Sequence, residues 1–295
     1  MHVLLTGGTG HVGSAVLKAL LAEGHEVTAL VRSDDSAAAV RDAGATPLVG
    51  DIADVAWLSA RLTEVDGAIH TASPGDKTSA DVDRAVATAV ATAFAGTGRP
   101  YVHTSGVWVY GAGAGITEST PFSPPALTAW REDVEKIALG TQGARVAVVA
   151  PGIVYGHGKG IPNLVASAPR TDAGALTLVG SGTQHWTTVH ADDLADLYVR
   201  VLTDGASGAY YIGASGQNPS VRELGAAASR AGGGDGTVEP ESDDATRGRL
   251  GTPFADALLL DQQVTTTRGH TELGWTPSRP SLVEDLEHGS YAPQK

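Results

Sequence analysis

The 295-residue chain contains no cysteine. Disulfides, thiolate metal sites and cysteine nucleophiles are therefore excluded, and a reducing cytoplasm is the expected setting. Positive charge is in short supply, with 20 Lys and Arg against 33 Asp and Glu and a net charge of −13. A nucleic-acid binder needs a basic face to displace counterions from phosphates, so that class is set aside. No apolar run approaches the roughly 20 residues that cross a bilayer. The first residues run straight into a strand-like Val3-Leu4-Leu5, with no basic flank or small-residue cleavage site, so neither a membrane partner nor a secretory signal is expected. Internal repeats are absent, and no linker is long enough to separate two independent domains.

What is present is an alternation of short apolar runs and helical patterns. Residues 2–6, 26–31, 46–49, 66–70, 101–103 and 145–149 read as strands. Helical patterns at 12–20, 36–43, 55–62, 82–94 and 128–139 lie between them. This order predicts an α/β fold of the Rossmann type, a doubly wound parallel sheet with helices on both faces. After Pro151 the pattern loosens. Residues 156–186 are rich in Gly, Pro, Ser and Thr, with one strand at 176–179. Helices are expected at 192–202 and 221–230, a strand at 209–212, and a mobile loop at 231–249. The last strongly structured segment is 281–287. The expected organisation is a dinucleotide-binding domain over 1–155, to which 187–213 returns, and a smaller C-terminal substrate lobe from 156–186 and 214–295.

The first strand leads into Thr6-Gly7-Gly8-Thr9-Gly10-His11-Val12-Gly13 and then an amphipathic helix. In such a turn Gly7 permits the tight bend, Gly10 lets a pyrophosphate approach the backbone, and Gly13 lets helix pack on strand. Thr9, His11 and Val12 complete the turn, and the helix N-terminus offers free N–H groups and a positive dipole end. At the end of the second strand Val31 stands where an NAD-selective site places a carboxylate. Arg32 and Ser33 follow, a guanidinium and a hydroxyl suited to a 2′-phosphate. NADP(H) is the expected cofactor, while Asp34 and Asp35 keep NAD(H) open.

With these motifs, the ordered set Gly50-Asp51-Ile52, His70-Thr71-Ala72-Ser73, Thr104-Ser105-Gly106-Val107-Trp108-Val109-Tyr110-Gly111, Pro151-Gly152-Ile153-Val154-Tyr155-Gly156 and Trp186-Thr187-Thr188-Val189-His190-Ala191-Asp192-Asp193 resembles the extended short-chain dehydrogenase/reductase superfamily of epimerases, dehydratases and reductases. The resemblance implies that Asp51 and Ile52 hold the adenine. It implies that Thr71, Ala72 and Ser73 line the phosphate and ribose path, and that Pro151, Gly152, Ile153 and Val154 flank the nicotinamide. A homodimer through helices 82–94 and 128–139 is a further implication.

The superfamily's acid/base pair, a Tyr and a Lys four residues later on one helix, is missing. Helix 128–139 has no Tyr. One register puts Leu127 and Arg131 at the two positions, another Trp130 and Val134. The literal Tyr155-x-x-x-Lys159 includes two glycines and is not expected to be helical. Ser105 stands one place before the usual catalytic position, which Gly106 occupies. The catalytic candidates are thus Ser105, Tyr110, Arg131 as a ribose or carboxylate clamp, and His185 as the preferred substitute acid. Trp108, Trp130 and Trp186 are expected to converge near the nicotinamide, or else to pack the lobe core. Asp192 and Asp193 read as helix caps. His157, His185 and His190 show no tight ligand spacing, so no metal is expected. The leading reading is an NADP(H)-dependent oxidoreductase acting on a small carbonyl or hydroxy compound, apolar or aromatic. The alternatives are a non-catalytic NADP(H)-sensing regulator resembling the nitrogen-metabolite repression proteins, and an epimerase or dehydratase that retains its cofactor.

Overall fold

The computed structural model describes residues 1–265 and 267–293. Seven parallel strands form the central sheet: β1 (His2–Thr6), β2 (Glu26–Val31), β3 (Thr46–Val49), β4 (Gly67–His70), β5 (Pro100–Thr104), β6 (Arg145–Pro151) and β7 (Tyr210–Gly213). Their order is β3-β2-β1-β4-β5-β6-β7, so the chain reverses direction across the sheet between β1 and β4. Crevices at the carboxyl ends of strands beside such a reversal are where α/β proteins of this kind bind ligands. β1, β4 and β6 are buried along nearly their whole length, as expected for strands covered on both faces.

One face is covered by helices His11–Ala22 and Ala191–Asp204, where Val16 and Leu20 share a core with Leu194, Leu197 and Tyr198. The other face carries helices Val55–Leu62, Ser79–Phe94 and Arg131–Leu139, packed through Leu58, Val86, Val90, Phe94 and Val134. The doubly wound parallel sheet is therefore the fold. A third apolar cluster, including Ile153, Leu176, Trp186, Leu224 and Leu286, forms a smaller body beyond the strand ends. The returning segment Thr188–His190 pairs in parallel with Ile153–Tyr155.

Three expectations need correction. Residues 231–249 are not a mobile loop. Val238–Glu239 pairs with Leu176–Thr177, and Asp243–Leu250 is a helix capped by the Ser242 hydroxyl, which accepts from the Ala245 N–H at 3.2 Å. Its polar composition reflects a helix with little buried surface rather than missing structure. The strand expected at 176–179 is only Leu176–Thr177, because its partner strand is two residues long. Helix 128–139 begins at Arg131. Pro124 and Pro125 fix the approach, the chain makes i to i+3 turns through Thr128 and Arg131, and Glu132 and Asp133 favour the helix start there.

Candidate functional site

The glycine turn connects β1 to the helix His11–Ala22 in the crevice between β1 and β4. Gly7 has φ +76°, and a Cβ there would lie 2.6 Å from the Ala72 nitrogen. A Cβ on Gly13 would stand 2.0 Å from the Gly7 carbonyl oxygen and 2.7 Å from Thr71 Oγ1. At Gly10 the nearest heavy atom to a Cβ is the Gly7 oxygen at 3.2 Å, and nothing else lies within 4 Å. Glycine is thus required at 7 and 13 for packing, and at 10 it leaves a backbone that a ligand can approach. Among the described residues the N–H groups of His11, Val12 and Gly13 have no intramolecular acceptor, while Ser14 N–H already donates to Gly10. Three free donors at a helix N-terminus above a glycine cradle fit a pyrophosphate.

The rest of the expected path follows the same edge. Thr71 donates its hydroxyl to the Thr6 carbonyl at 2.7 Å, which ties the end of β4 to β1. Ala72 is partly buried and Ser73 exposed. Asp51 accepts the Ala53 N–H at 2.9 Å, a turn contact, and Ile52 packs on the cluster around Leu58. Arg32 is exposed directly after β2. Ser33 beside it caps the helix Asp34–Asp42, accepting from the Ser36 N–H at 3.3 Å, so its hydroxyl is already engaged. Pro151, Gly152 and Ile153 are buried at the end of β6, with Val154 partly exposed. Thr9 is exposed at the apex of the turn.

The catalytic candidates are distributed differently from expectation. Ser105 Oγ is buried without a hydrogen-bond partner, and it lies beside the carboxyl of Glu135. The Tyr110 hydroxyl is also buried and unpartnered. Its ring packs edge-on against Phe122, and burial raises its pKa well beyond the usual tyrosine range. Neither hydroxyl is presented as an acid. Arg131 does not reach outward as a clamp; it donates to the Thr104 carbonyl at 3.1 Å and to Asp83 at 3.4 Å, with its guanidinium over Trp130. His185 Nδ1 lies 2.9 Å from Asp261 Oδ1, and the ring is about one third exposed. Trp108 and Trp186 pack into the lobe core, the second of the two readings, and Trp130 packs on a separate cluster beside the sheet. Trp186 is buried in the lobe core with its indole N–H donating to Leu258, Trp108 packs against Phe254, and Trp130 donates to Leu127. Gly106 leaves open space, since a Cβ there meets nothing within 4 Å. Asp192 and Asp193 are not the caps of helix Ala191–Asp204. The His190 imidazole is, accepting the Asp192 N–H at 3.1 Å.

Beneath the crevice runs a buried polar chain that the sequence reading missed. The ionised Asp83 carboxyl can only accept, so the His70 Nε2–H donates to it at 3.1 Å. Nδ1 of the neutral ring then accepts the Thr6 hydroxyl at 2.6 Å, while Thr6 Oγ1 also accepts the Ala72 N–H. Asp83 then pairs with Arg131. The chain links β1, β4, two helices and β5. Despite burial, His70 and Arg131 hold the Asp83 carboxyl below its ordinary pKa. A turn further along the helix, Glu135 is fully buried, accepts the Tyr210 hydroxyl at 2.8 Å, and has its pKa raised by burial. The one available signal was periodicity. Asp83 lies on the stripe continued by Val86, Ala87, Val90 and Phe94, and Glu135 lies beside Val134 and Ala138.

His103, on β5, is hydrogen-bonded through Nδ1 to the Tyr101 hydroxyl (2.8 Å) and has a buried Nε2 with no partner. Burial lowers its pKa to about 3. An unfolded histidine titrates near 6.5, so between pH 6.5 and 3 the unfolded chain binds a proton that the folded chain does not. Stability is therefore complete above pH 6.5 and falls as pH drops, by about 1.4 kcal/mol per pH unit. Denaturant titrations at pH 7, 5.5 and 4.5 should show this slope, and His103→Gln should reduce it by that amount. An unchanged slope in the variant would assign the pH dependence to other groups.

A crevice with a glycine cradle and free helix N–H groups at the β1–β4 reversal defines a dinucleotide-binding α/β protein. The model of the NAD dependent epimerase/dehydratase family matches residues 3–213, and the chain belongs to that family. An uncharacterised protein of Schizosaccharomyces pombe is 29% identical over 300 residues, spanning 99% of this chain and 100% of the relative. A 3-diazoavenalumate denitrifying reductase of a Streptomyces species is 26% identical over 328 residues, spanning 97% and 99%. Among solved structures, a dTDP-glucose 4,6-dehydratase of Streptomyces venezuelae with NAD bound superposes with a TM-score of 0.78 at 24% identity, covering 99% of this chain and 96% of that one. Among the described residues no helix is long and apolar enough to cross a membrane.

Proposed function

We propose that this protein is an NADP(H)-dependent reductase of small organic electrophiles whose reduction takes no proton from a tyrosine. The observation that carries this reading is the helix Arg131–Leu139, which offers no phenol and turns Arg131 and Glu135 inward to Asp83 and Tyr210. When bound, the nicotinamide supplies the hydride. The chain's own work is then to hold the pyrophosphate on the His11, Val12 and Gly13 N–H groups, to position the acceptor, and to exclude water. Among acceptors, carbonyls need a proton at oxygen as hydride arrives at carbon. A diazonium carbon does not: one C–H bond forms, the C–N bond breaks, and N2 leaves with its electron pair. The full-length relative named as a diazo-compound reductase supports that class for this chain. The exposed Arg32 supports NADP(H), because a charge-assisted contact to the 2′-phosphate contributes about 1.5–3 kcal/mol, about tenfold or more in affinity.

The test is NADPH oxidation against parallel panels of aryl diazonium salts and of aldehydes and ketones. Turnover with the first panel, one N2 per NADPH, is expected. The rate should be flat from pH 6 to 8 and unchanged within about twofold in His185→Gln, in line with a site that uses no side-chain acid. NADPH should outcompete NADH until Arg32→Asp removes the preference. Turnover restricted to carbonyls and lost in His185→Gln would make the His185–Asp261 pair the acid and overturn the proton-free reading. Tight cofactor binding with no turnover on either panel would favour a cofactor-sensing role.

A further inference from the structure

The lobe holds a second constellation that the proposed reaction does not use. His157, His190 and Asp192 each bring one ligand atom within 4.8 Å of the other two. They face an open cleft of about 230 Å³ that Arg279 and Asp285 also line. We propose that His157, His190 and Asp192 form a binding site for a first-row divalent metal ion, Zn²⁺ by ligand preference.

Two imidazoles and one carboxylate match the donor types that Zn²⁺ and its neighbours prefer, and the open cleft leaves positions for water. His157 Nε2 lies 2.9 Å from Asp192 Oδ1, and His190 Nδ1 lies 3.9 Å from Asp192 Oδ2. An ion about 2.0–2.2 Å from each ligand requires closure of the widest gap by about an ångström, which the half-exposed His157 ring supplies by rotation. The backbone is arranged to present that ring. Among the described residues His157 is the one non-glycine with positive φ, at 57°, and it sits between Gly156 and Gly158. Both flanking N–H groups are anchored, Gly156 to the Tyr291 hydroxyl at 2.9 Å and Gly158 to Ser290 Oγ at 2.8 Å. A residue held in a sparsely populated conformation by contacts on both sides is a sign of imposed placement. His190 is fixed in turn, edge-on to Tyr155 and against Gly156, where a Cβ would meet its Nε2 at 2.4 Å.

Two local features oppose the ion and define its competitors. His190 Nδ1 now accepts the Asp192 N–H, so metal binding trades a helix cap for a ligand bond. Arg279 Nη2 lies 3.6 Å from Asp192 Oδ2 and occupies part of the same negative field. The first-turn carboxylates of Asp192 and Asp193 offset the positive end of the helix. Asp285 is committed to Ser290, leaving Asp192 as the ligating carboxylate. The site also touches the cofactor turn, since His11 Nε2 lies 3.0 Å from the Gly156 carbonyl.

Co²⁺ titration of the full chain at pH 7.5, followed by visible absorption and reversed with Zn²⁺, tests the assignment. One saturable equivalent is expected. His157→Asn tolerates positive φ, and both it and Asp192→Asn should weaken binding by about a hundredfold, the upper end of what even outer-shell losses cost. Arg279→Gln should strengthen binding by removing the competing cation. The nitrogen pair of Met1 and His25, 3.3 Å apart, is the obvious rival site, so His25→Gln should leave the titration unchanged. Absence of saturable binding, binding that survives both ligand variants, or binding lost in His25→Gln would overturn the proposal.

Discussion

Gly13→Val should weaken NADPH binding by at least about a hundredfold, or about 2.7 kcal/mol, while the chain still folds. The new Cβ would meet the Gly7 carbonyl oxygen at 2.0 Å, the Gly7 carbonyl carbon at 2.5 Å and Thr71 Oγ1 at 2.7 Å, and the first two belong to the cradle itself. Relief requires the Gly7 bend to move away from the helix, which takes the His11, Val12 and Gly13 N–H groups out of register with a pyrophosphate. Overpacking of this kind also destabilises by about 1–3 kcal/mol. Fluorescence titration of NADPH and a urea melt on the same sample separate the two effects. Gly106→Ala is the control, because a Cβ there meets nothing within 4 Å, and its stability should stay within about 0.5 kcal/mol of the parent. Wild-type NADPH affinity in Gly13→Val would mean the turn is not the phosphate site.

Asp83→Ala should cost about 3 kcal/mol of stability, the lower end of what removal of one partner from a buried ion pair costs. Asp83 is 2% exposed and is shared by His70 and Arg131. Its loss leaves the guanidinium with the Thr104 carbonyl and the Trp130 ring as partial compensation, which sets the estimate at the lower end. The measurement is equilibrium denaturation at pH 7. Since the native carboxyl titrates below its ordinary value, the contribution is full above an unfolded pKa near 3.8 and is lost as pH falls through the lower folded value. The gap between the parent and Asp83→Ala should therefore narrow as pH falls through that lower value. A difference that persists undiminished below it would mean that Asp83 acts through packing and not through charge.

The order of the central-sheet strands through β6 and of the helices packed on them was legible because each apolar run and each helical stripe is bounded by glycine, proline or a capping side chain, whereas the short strand Gly113–Ile116, paired with Gln262–Val264, was not. Gly24 closes the first helix at φ +76°, and Asp54 caps the third by accepting the Trp57 N–H. The cofactor turn was legible for a related reason: its requirements are backbone requirements, and only glycine satisfies them at 7 and 13. The segments after Pro151 were harder. Helix Asp243–Leu250 buries only Thr246 and carries little apolar periodicity, and helix Thr252–Leu258 is only about two turns long. Site chemistry was hardest, because it depends on contacts between distant residues. Asp261 meets His185 across 76 positions, and Asp83 meets Arg131 across 48. Nothing local marks either carboxylate as paired. Ser105 and Tyr110 carried the right chemical groups, but the direction of a side chain at a strand end depends on what the next helix brings against it. In this chain that helix brings Glu135.

The position of β7 at the sheet edge, and of helix Ala191–Asp204 against the first helix, bears on how the polypeptide emerges during synthesis. The face around Val16, Leu20 and Val149 is complete only when Leu194, Leu197 and Tyr198 have arrived. β6 has an unpaired edge until Tyr210–Gly213 is made. Translating residues 156–213 takes roughly 3–12 s at about 5–20 residues per second. For that interval a nascent chain that already carries the whole cofactor turn displays an uncovered apolar face and an open strand edge, the two features that chaperones and aggregation both recognise.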